Sequence, residues 1–214
     1  GKVGSPDPGV LRDNITRWGA TMLGSDELLL PWNVAFIDGF AMRAWDANGT
    51  NFAYYPERGA TAGEFGHNDF YSAVLAAIQM VNGTGADAVR AMILLDEIRN
   101  QLGAVYSLKD RHLDHVFHGG IATAFVVGAI LGLTPEQIEQ AVGLYVAHYV
   151  PTRANRAGEA EIADSKGAAA GIAAEKAFES VIRVQHGFAG PRDIFRISEG
   201  IFSLMGGTGA QSTV

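Results

Sequence analysis

The chain has 214 residues, 48% of them hydrophobic and 18% charged, enough apolar side chains for one substantial core. Its net charge of −7, without a basic block, argues against nucleic acid or an anionic membrane as a partner. The absence of cysteine excludes disulfides, thiolate nucleophiles and Cys-held zinc or iron–sulfur sites. With no hydrophobic signal region, and with a longest apolar run (121–133) too short to span a bilayer, we expect a soluble protein of a reducing compartment.

The chain is predicted to divide into three segments. Residues 1–29 are predicted to be a lead-in segment, and a helical domain is predicted to follow over residues 30–205, with a short tail at 206–214. The first helix is predicted over 30–46, with apolar residues at helical spacing: Val34, Ile37, Phe40 and Met42 or Trp45. The Gly- and Asn-rich segment 48–68 is predicted to be a functional loop, since so long a connection is unusual inside a helical chain.

Two further helices are predicted from capping and periodicity. Asn68 or Asp69 is expected to cap a helix that stops at Gly83. Residues 86–107 form the clearest amphipathic pattern, whose predicted buried side consists of Val89, Ile93, Ile98, Leu102 and Val105.

The second half of the chain favours close helix packing. Small residues recur every fourth position in an apolar run, which would let a neighbouring helix approach closely: Gly120, Ala124, Gly128 and Gly132. The next helix is expected to begin with Thr134 as N-cap, Pro135 at the first position and Gln137 completing a capping box. The last helix is predicted over 165–187, closed by Gly187. Together these elements predict an all-α, bundle-like domain.

Three histidines, His112, His115 and His118, stand three residues apart in the stretch DRHLDHVFHGG. They could be metal ligands, acid/base catalysts or polar residues at a helix boundary. On a helix they would fan over about a third of the circumference, which is too wide for one ion, and the HExxH pattern is absent. We therefore expect no metal here, with one functional histidine and two that cap a helix or face water.

Other polar residues cluster where helices are predicted to end, and in an all-α core such ends can converge on a cleft. Spacing alone does not assemble them into one site. They are Asp46, Asn48, Thr50, His67, Asn68, Asp69, Arg153, Arg156 and Lys166.

Five segments in this order resemble the MmgE/PrpD family of 2-methylcitrate dehydratases. They are FIDGFAMRAWDANGT, GHNDFYSAVLAA, LDHVFHGGIATAFVVGAILGLTPEQIEQAVG, RANRAGEAEIADSKGAAA and HGFAGPRDIF, spread from about Leu30 to Phe202. The family also includes cis-aconitate decarboxylase and an iminodisuccinate epimerase.

The resemblance implies a large all-α domain, a smaller α+β lid domain, a homodimer and no metal or other cofactor. We expect the lid and the family's opening helices to be absent from these 214 residues. It also implies a cytoplasmic protein, or one of the mitochondrial matrix in a eukaryote.

The family's motifs fall on particular positions of this sequence. The resemblance implies that His67, His115 and Lys166 are catalytic, and that the following residues orient these groups or bind substrate: Asp46, Asn48, Thr50, Asn68, Asp69, Arg153 and Arg156. The proline and serine of the family's HPSDN-like motif are not retained at 67–69, and two further departures weaken the match. Gly49 stands where the family has an acidic residue, and about two extra residues separate Glu159 from Lys166.

The implied reaction is the dehydration of 2-methylcitrate or a similar tricarboxylate. Histidine can give or take the proton near neutral pH, and Lys166 with Arg153 or Arg156 would stabilise the developing negative charge. Arg43 could bind a substrate carboxylate through two hydrogen bonds. Which histidine is acid and which is base stays open. Three alternatives also remain: decarboxylation, epimerisation, and a non-catalytic helical scaffold or dimerisation module.

Overall fold

A computed structural model of the protein describes residues 19–44, 49, 57, 66–105, 108, 111–153 and 165–204. Two short strands, β1 (Ala20–Thr21) and β2 (Leu28–Leu29), pair antiparallel, with Ala20 opposite Leu29. The helices are α1 (Pro31–Ala44), α2 (Tyr71–Met80), α3 (Gly85–Val105), α4 (Val116–Ile130), α5 (Pro135–His148), α6 (Ser165–Gln185) and the short α7 (Ile201–Leu204). The predicted all-α class is confirmed. The described helices include none long and apolar enough to cross a membrane.

Helix α4 lies at the centre of the core. It packs against α2, α3, α5 and α6, and α1 packs against α2 and α6. Nearly every residue of α4 is buried, as its apolar sequence predicts. Because α4 begins directly after His115, the packing of this helix on four neighbours fixes the position of that histidine.

The predicted close approach of a helix to the small residues of α4 is confirmed. A Cβ added at Gly120 would lie 2.1 Å from the ring of Tyr145 on α5, and one added at Gly128 would lie 2.9 Å from Ile138. The row therefore faces α5. Gly132 does not belong to it, since it lies beyond the helix end with a positive φ of 73°.

Helix boundaries agree with the predicted caps at α5 and α6 but not at α2. At α5, Thr134 and Gln137 form the predicted capping box, and Gly187 follows the end of α6 with a φ of 87°. The prediction that Asn68 or Asp69 caps α2 is wrong. Phe70 is the N-cap residue, without a side-chain capping bond, because the carboxylate of Asp69 contacts other residues, described below.

The predicted buried side of α3 is wrong for three of its five residues, whereas Ile98 and Leu102 pack half-buried against the core. Ile93 is 63% exposed, and Val89 and Val105 are exposed too. The buried side instead carries mostly small residues, with one leucine and one arginine: Ala88, Ala91, Leu95, Arg99 and Gly103. Small side chains let α3 approach its neighbours closely, so the size of an apolar side chain was a poor guide to burial here.

Candidate active site

The turn 66–70, GHNDF, lies directly before α2 and presents three of the predicted site residues. The amide of Asp69 donates to the carbonyl of Gly66 over 3.1 Å, which closes the turn. Gly66 has a φ of 73°, and a Cβ there would lie 2.0 Å from Oδ2 of Asp69. Only glycine therefore combines this backbone conformation with the observed position of the Asp69 carboxylate.

Arg99 holds this turn from α3. Its Nη1 donates to the carbonyl of His67 over 2.9 Å, and its Nη2 donates to the carbonyl of Gly66 over 3.0 Å. The side chain is fully buried, and its guanidinium carbon lies 5.1 Å from the centre of the Phe70 ring. The guanidinium satisfies two carbonyls that would otherwise be costly to bury, so α3 and the turn are fixed relative to each other.

His115 lies between two carboxylates. Its Nε2 is 2.9 Å from Oδ2 of Asp69, and its Nδ1 is 2.9 Å from Oδ1 of Asp114. Both nitrogens can donate to carboxylates only in the protonated ring. Burial lowers the pKa of His115, but the hydrogen bonds to Asp114 and Asp69 and their charges outweigh it, and the pKa is raised. The geometry therefore favours an imidazolium that can give up a proton.

Arg43 extends this network. Its Nη1 lies 3.4 Å from Oδ1 of Asp69, and both side chains are buried. Positive and negative groups therefore alternate along Arg43, Asp69, His115 and Asp114. Such alternation partly offsets the cost of removing charges from water, so the network can hold charge in a buried place. Sequence reasoning did not include this contact of Arg43, and the proposed contact of Arg43 with a substrate carboxylate stays a prediction.

The segment before α4 is tied to the residues that follow α5. The amide of Asp114 donates to the carbonyl of Pro151 over 3.0 Å, and the amide of Arg153 donates to the carbonyl of His112 over 2.9 Å. Leu113 forms an antiparallel bridge with Thr152 between these two bonds. The backbone of the predicted site residue Arg153 therefore lies beside the histidine segment.

His67 belongs to a second network. Its Nε2 lies 2.9 Å from Oδ2 of Asp96 and 3.0 Å from the hydroxyl of Tyr71. The Tyr71 hydroxyl donates to the same Asp96 oxygen over 2.5 Å. Burial, with the hydrogen bond to Asp96 and its charge, raises the pKa of Tyr71, so this phenol keeps its proton. The ring of His67 is consequently oriented by a carboxylate and a neutral hydroxyl.

The structure brings together part of the predicted site. His67, Asn68 and Asp69 lie in one turn, Asp69 contacts both His115 and Arg43, and Asn68 accepts from the amide of Gly49 over 3.3 Å. Lys166 lies in the first turn of α6, half-buried, and among the described residues no hydrogen bond or ion pair joins it to either histidine. Four predicted residues lie outside the described residues: Asp46, Asn48, Thr50 and Arg156.

The two remaining histidines of the triplet, His112 and His118, differ in exposure. His112 is exposed and has a positive φ of 57°, whereas His118 is fully buried in α4. The expectation that both would cap a helix or face water is therefore wrong for His118. Its burial follows from its place on a helix that is covered by neighbours on almost every side.

Comparison with known protein families identifies the family of this chain. The family model of the MmgE/PrpD N-terminal domain matches residues 8–212. The chain belongs to the MmgE/PrpD family. Members of this family are generally lyases, with dehydratases and decarboxylases among them. The match covers both histidine networks described above.

Four residues of the candidate site were missing from the residues chosen by sequence: Tyr71, Asp96, Arg99 and Asp114. One signal could have found Arg99, a charged residue four positions after Leu95 on the side of α3 that carries Ala88 and Ala91. No comparable pattern marks Tyr71 or Asp96, because these two residues lie 25 positions apart in sequence and on different helices.

Proposed function

We propose that the protein is a hydro-lyase that dehydrates 2-methylcitrate or a similar alkylcitrate by histidine acid/base chemistry. The observation that carries the proposal is the pair of carboxylate-bound histidines. One turn supplies His67 itself and the Asp69 that holds His115. The proposal also rests on membership of a family of lyases.

Dehydration needs one proton acceptor and one proton donor. A base removes the proton next to a carboxylate, the electron pair forms the carbon–carbon double bond, and the hydroxyl leaves as water after protonation. Each correctly placed acid or base contributes roughly 10²–10⁴-fold to the rate. The charged ring of His115 suits the donor role, because protonating the hydroxyl turns a poor leaving group into water.

Negative charge develops on the substrate carboxylate when the proton leaves, and fixed positive charge placed there lowers the barrier. We propose Lys166, with Arg153 and Arg156, as the source of this charge. Asp46, Asn48, Thr50, Asn68 and Arg43 are proposed to orient the histidines or the substrate. The substrate itself would be a tricarboxylate, and the active form a homodimer without a cofactor.

Product analysis tests the proposal. Full-length protein is incubated with 2-methylcitrate, citrate and cis-aconitate in separate reactions, and NMR follows loss of water or of CO₂. An unsaturated tricarboxylate from 2-methylcitrate supports the dehydratase. Release of CO₂ from cis-aconitate would instead assign the protein the decarboxylase activity found in the same family. A protein that neither turns over these acids nor melts at a higher temperature in their presence would be a scaffold with a degenerate site.

A further inference from the structure

The network around His67 determines which ring nitrogen carries a proton. The hydroxyl of Tyr71 has one hydrogen, and its 2.5 Å contact with Oδ2 of Asp96 is that of a donor on a carboxylate. Both oxygens can then only accept from Nε2 of His67, which lies 2.9 Å from Asp96 and 3.0 Å from Tyr71. With the hydrogen on Nε2, the neutral ring carries its lone pair on Nδ1.

The Nδ1 edge of the same ring lies beside Gly49. A Cβ added at Gly49 would lie 2.5 Å from Nδ1 and 3.0 Å from Cγ, closer than side-chain atoms pack. Gly49 is exposed, the His67 side chain is 37% exposed, and within the described part of the chain Nδ1 has no hydrogen-bond partner. Glycine therefore avoids an overlap with Nδ1 that any side chain at position 49 would make, including the acidic one expected from the family.

We infer that His67 is the base of the dehydration and accepts the substrate proton at Nδ1, with Asp96 and Tyr71 as its positioning residues. The inference rests on the proposed function for its reaction. His115 lies between two carboxylates that bind both of its N–H groups, so it offers no lone pair and takes the role of acid. The leaving hydroxyl must reach one of these N–H groups in place of its present acceptor.

Protons and electrons balance in the proposed step. Nδ1 of His67 takes the proton from carbon, and the electrons of that C–H bond form the double bond. The C–O bond breaks, and the departing oxygen takes a proton from His115 and leaves as water. His67 is then positively charged, and Asp96, 2.9 Å from Nε2, stabilises that charge. Exchange with solvent returns both rings to their starting states.

A spectrum of the protein alone tests the tautomer without relying on turnover. Long-range ¹H–¹⁵N NMR of ¹⁵N-labelled full-length protein separates the two neutral forms, and His67→Gln identifies the signal by its loss. We expect the Nε2–H form in the wild type and a mixture of both forms in Asp96→Asn. The Nδ1–H form in the wild type would overturn the inference, whether or not the protein dehydrates any acid.

Kinetics test the catalytic role. Gly49→Ala should lower kcat by roughly 10²–10⁴-fold, the same loss that we expect of His67→Gln, because the new Cβ would overlap Nδ1. Gly85→Ala is the matched control, since nothing lies within 4 Å of a Cβ at that position. Full activity of Gly49→Ala in an active wild-type background would overturn the inference. If the wild type turned over none of the acids, the proposed function would fail, and the spectrum would still decide the tautomer.

The Asp96→Asn variant tests whether Asp96 positions His67 for catalysis or only stabilises the fold. Losing a charged hydrogen bond should lower kcat about tenfold or more, with little change in KM, and change the pH dependence of kcat. Asp96→Glu should restore part of the rate. Glu97→Gln, on the exposed side of the same helix, is the control. An Asp96→Asn variant with the wild-type rate and pH profile would overturn the positioning role.

Discussion

The carboxylate of Asp69 lies against His115, with Oδ2 2.9 Å from Nε2. Its other oxygen lies 3.4 Å from Nη1 of Arg43, so one buried carboxylate has a cation on each side. This pairing explains why Asp69 does not cap α2, although its position and residue type are those of a cap. It also explains why the ring of His115 holds its proton.

Removing the charge of Asp69 should destabilise the fold. Asp69→Asn leaves Arg43 beside a neutral amide in a buried place, and breaking a buried ion pair in this way typically costs about 3–5 kcal/mol. Urea denaturation of the wild type and the variant measures the difference in free energy of unfolding. Glu97→Gln removes an exposed carboxylate for comparison. A difference no larger than that control would show that Asp69 does not hold the network together.

The raised pKa of His115 makes the stability of the protein depend on pH. The folded state holds this proton more tightly than the unfolded chain, whose histidine has its ordinary pKa of 6.5. The stabilisation is therefore complete below about pH 6.5 and is lost as the pH rises through the higher pKa of the folded state.

Urea denaturation at several pH values tests this dependence. The difference in free energy of unfolding between wild type and His115→Gln should narrow as the pH rises. His148→Gln, which removes an exposed imidazole, is the control. A difference that stays constant or widens with pH would contradict the assignment of His115 as a bound imidazolium.

Arg99→Lys should weaken both stability and activity. A lysine ammonium cannot reproduce the planar pair of bonds to the carbonyls of His67 and Gly66. Leaving one of these groups unsatisfied costs about 1–3 kcal/mol, and the turn that carries His67 loses its anchor. Thermal denaturation and kcat measure the two effects. Arg90→Lys, on the exposed side of the same helix, should change neither, and an unaffected Arg99→Lys would refute the anchoring role.

Gly119→Ala should destabilise the fold although alanine is the better helix former. The added Cβ would lie 1.9 Å from the ring of Phe70, and overpacking of this kind costs about 1–3 kcal/mol. Phe70→Leu in the Gly119→Ala background should recover part of the loss, because the smaller side chain vacates the ring position. Denaturation midpoints of the two single variants and the double variant give the coupling. A stabilised Gly119→Ala would contradict the packing of α4 on the turn.

Local sequence signals predicted much of the fold. The Thr134–Gln137 capping box marks the start of α5, and the residues of α4 with small side chains mark its contact with α5. Both signals act between neighbours in the chain or along one helix. The buried side of α3 could not be predicted in this way, because close packing placed Ala88 and Gly103 inside and left Ile93 exposed.

The candidate site was only partly predictable for a similar reason. The resemblance to a family selected His67 and His115, since their motifs are contiguous in sequence. Tyr71 and Asp96 are brought together by the packing of α2 and α3, and no spacing in the sequence indicates that contact. The position of Asp69 looked like a cap, and only the structure distinguishes a capping carboxylate from one that binds a histidine.

The most direct test of the account is the reaction of full-length protein with 2-methylcitrate, followed by NMR for the wild type, His67→Gln and His115→Gln. Circular dichroism of each variant first confirms that it is folded, and His148→Gln serves as the control. The account predicts an unsaturated tricarboxylate from the wild type and from the control. It predicts rates lower by roughly 10²–10⁴-fold in the other two variants. Wild-type rates in folded His67→Gln and His115→Gln, or no turnover by the wild type, would contradict it.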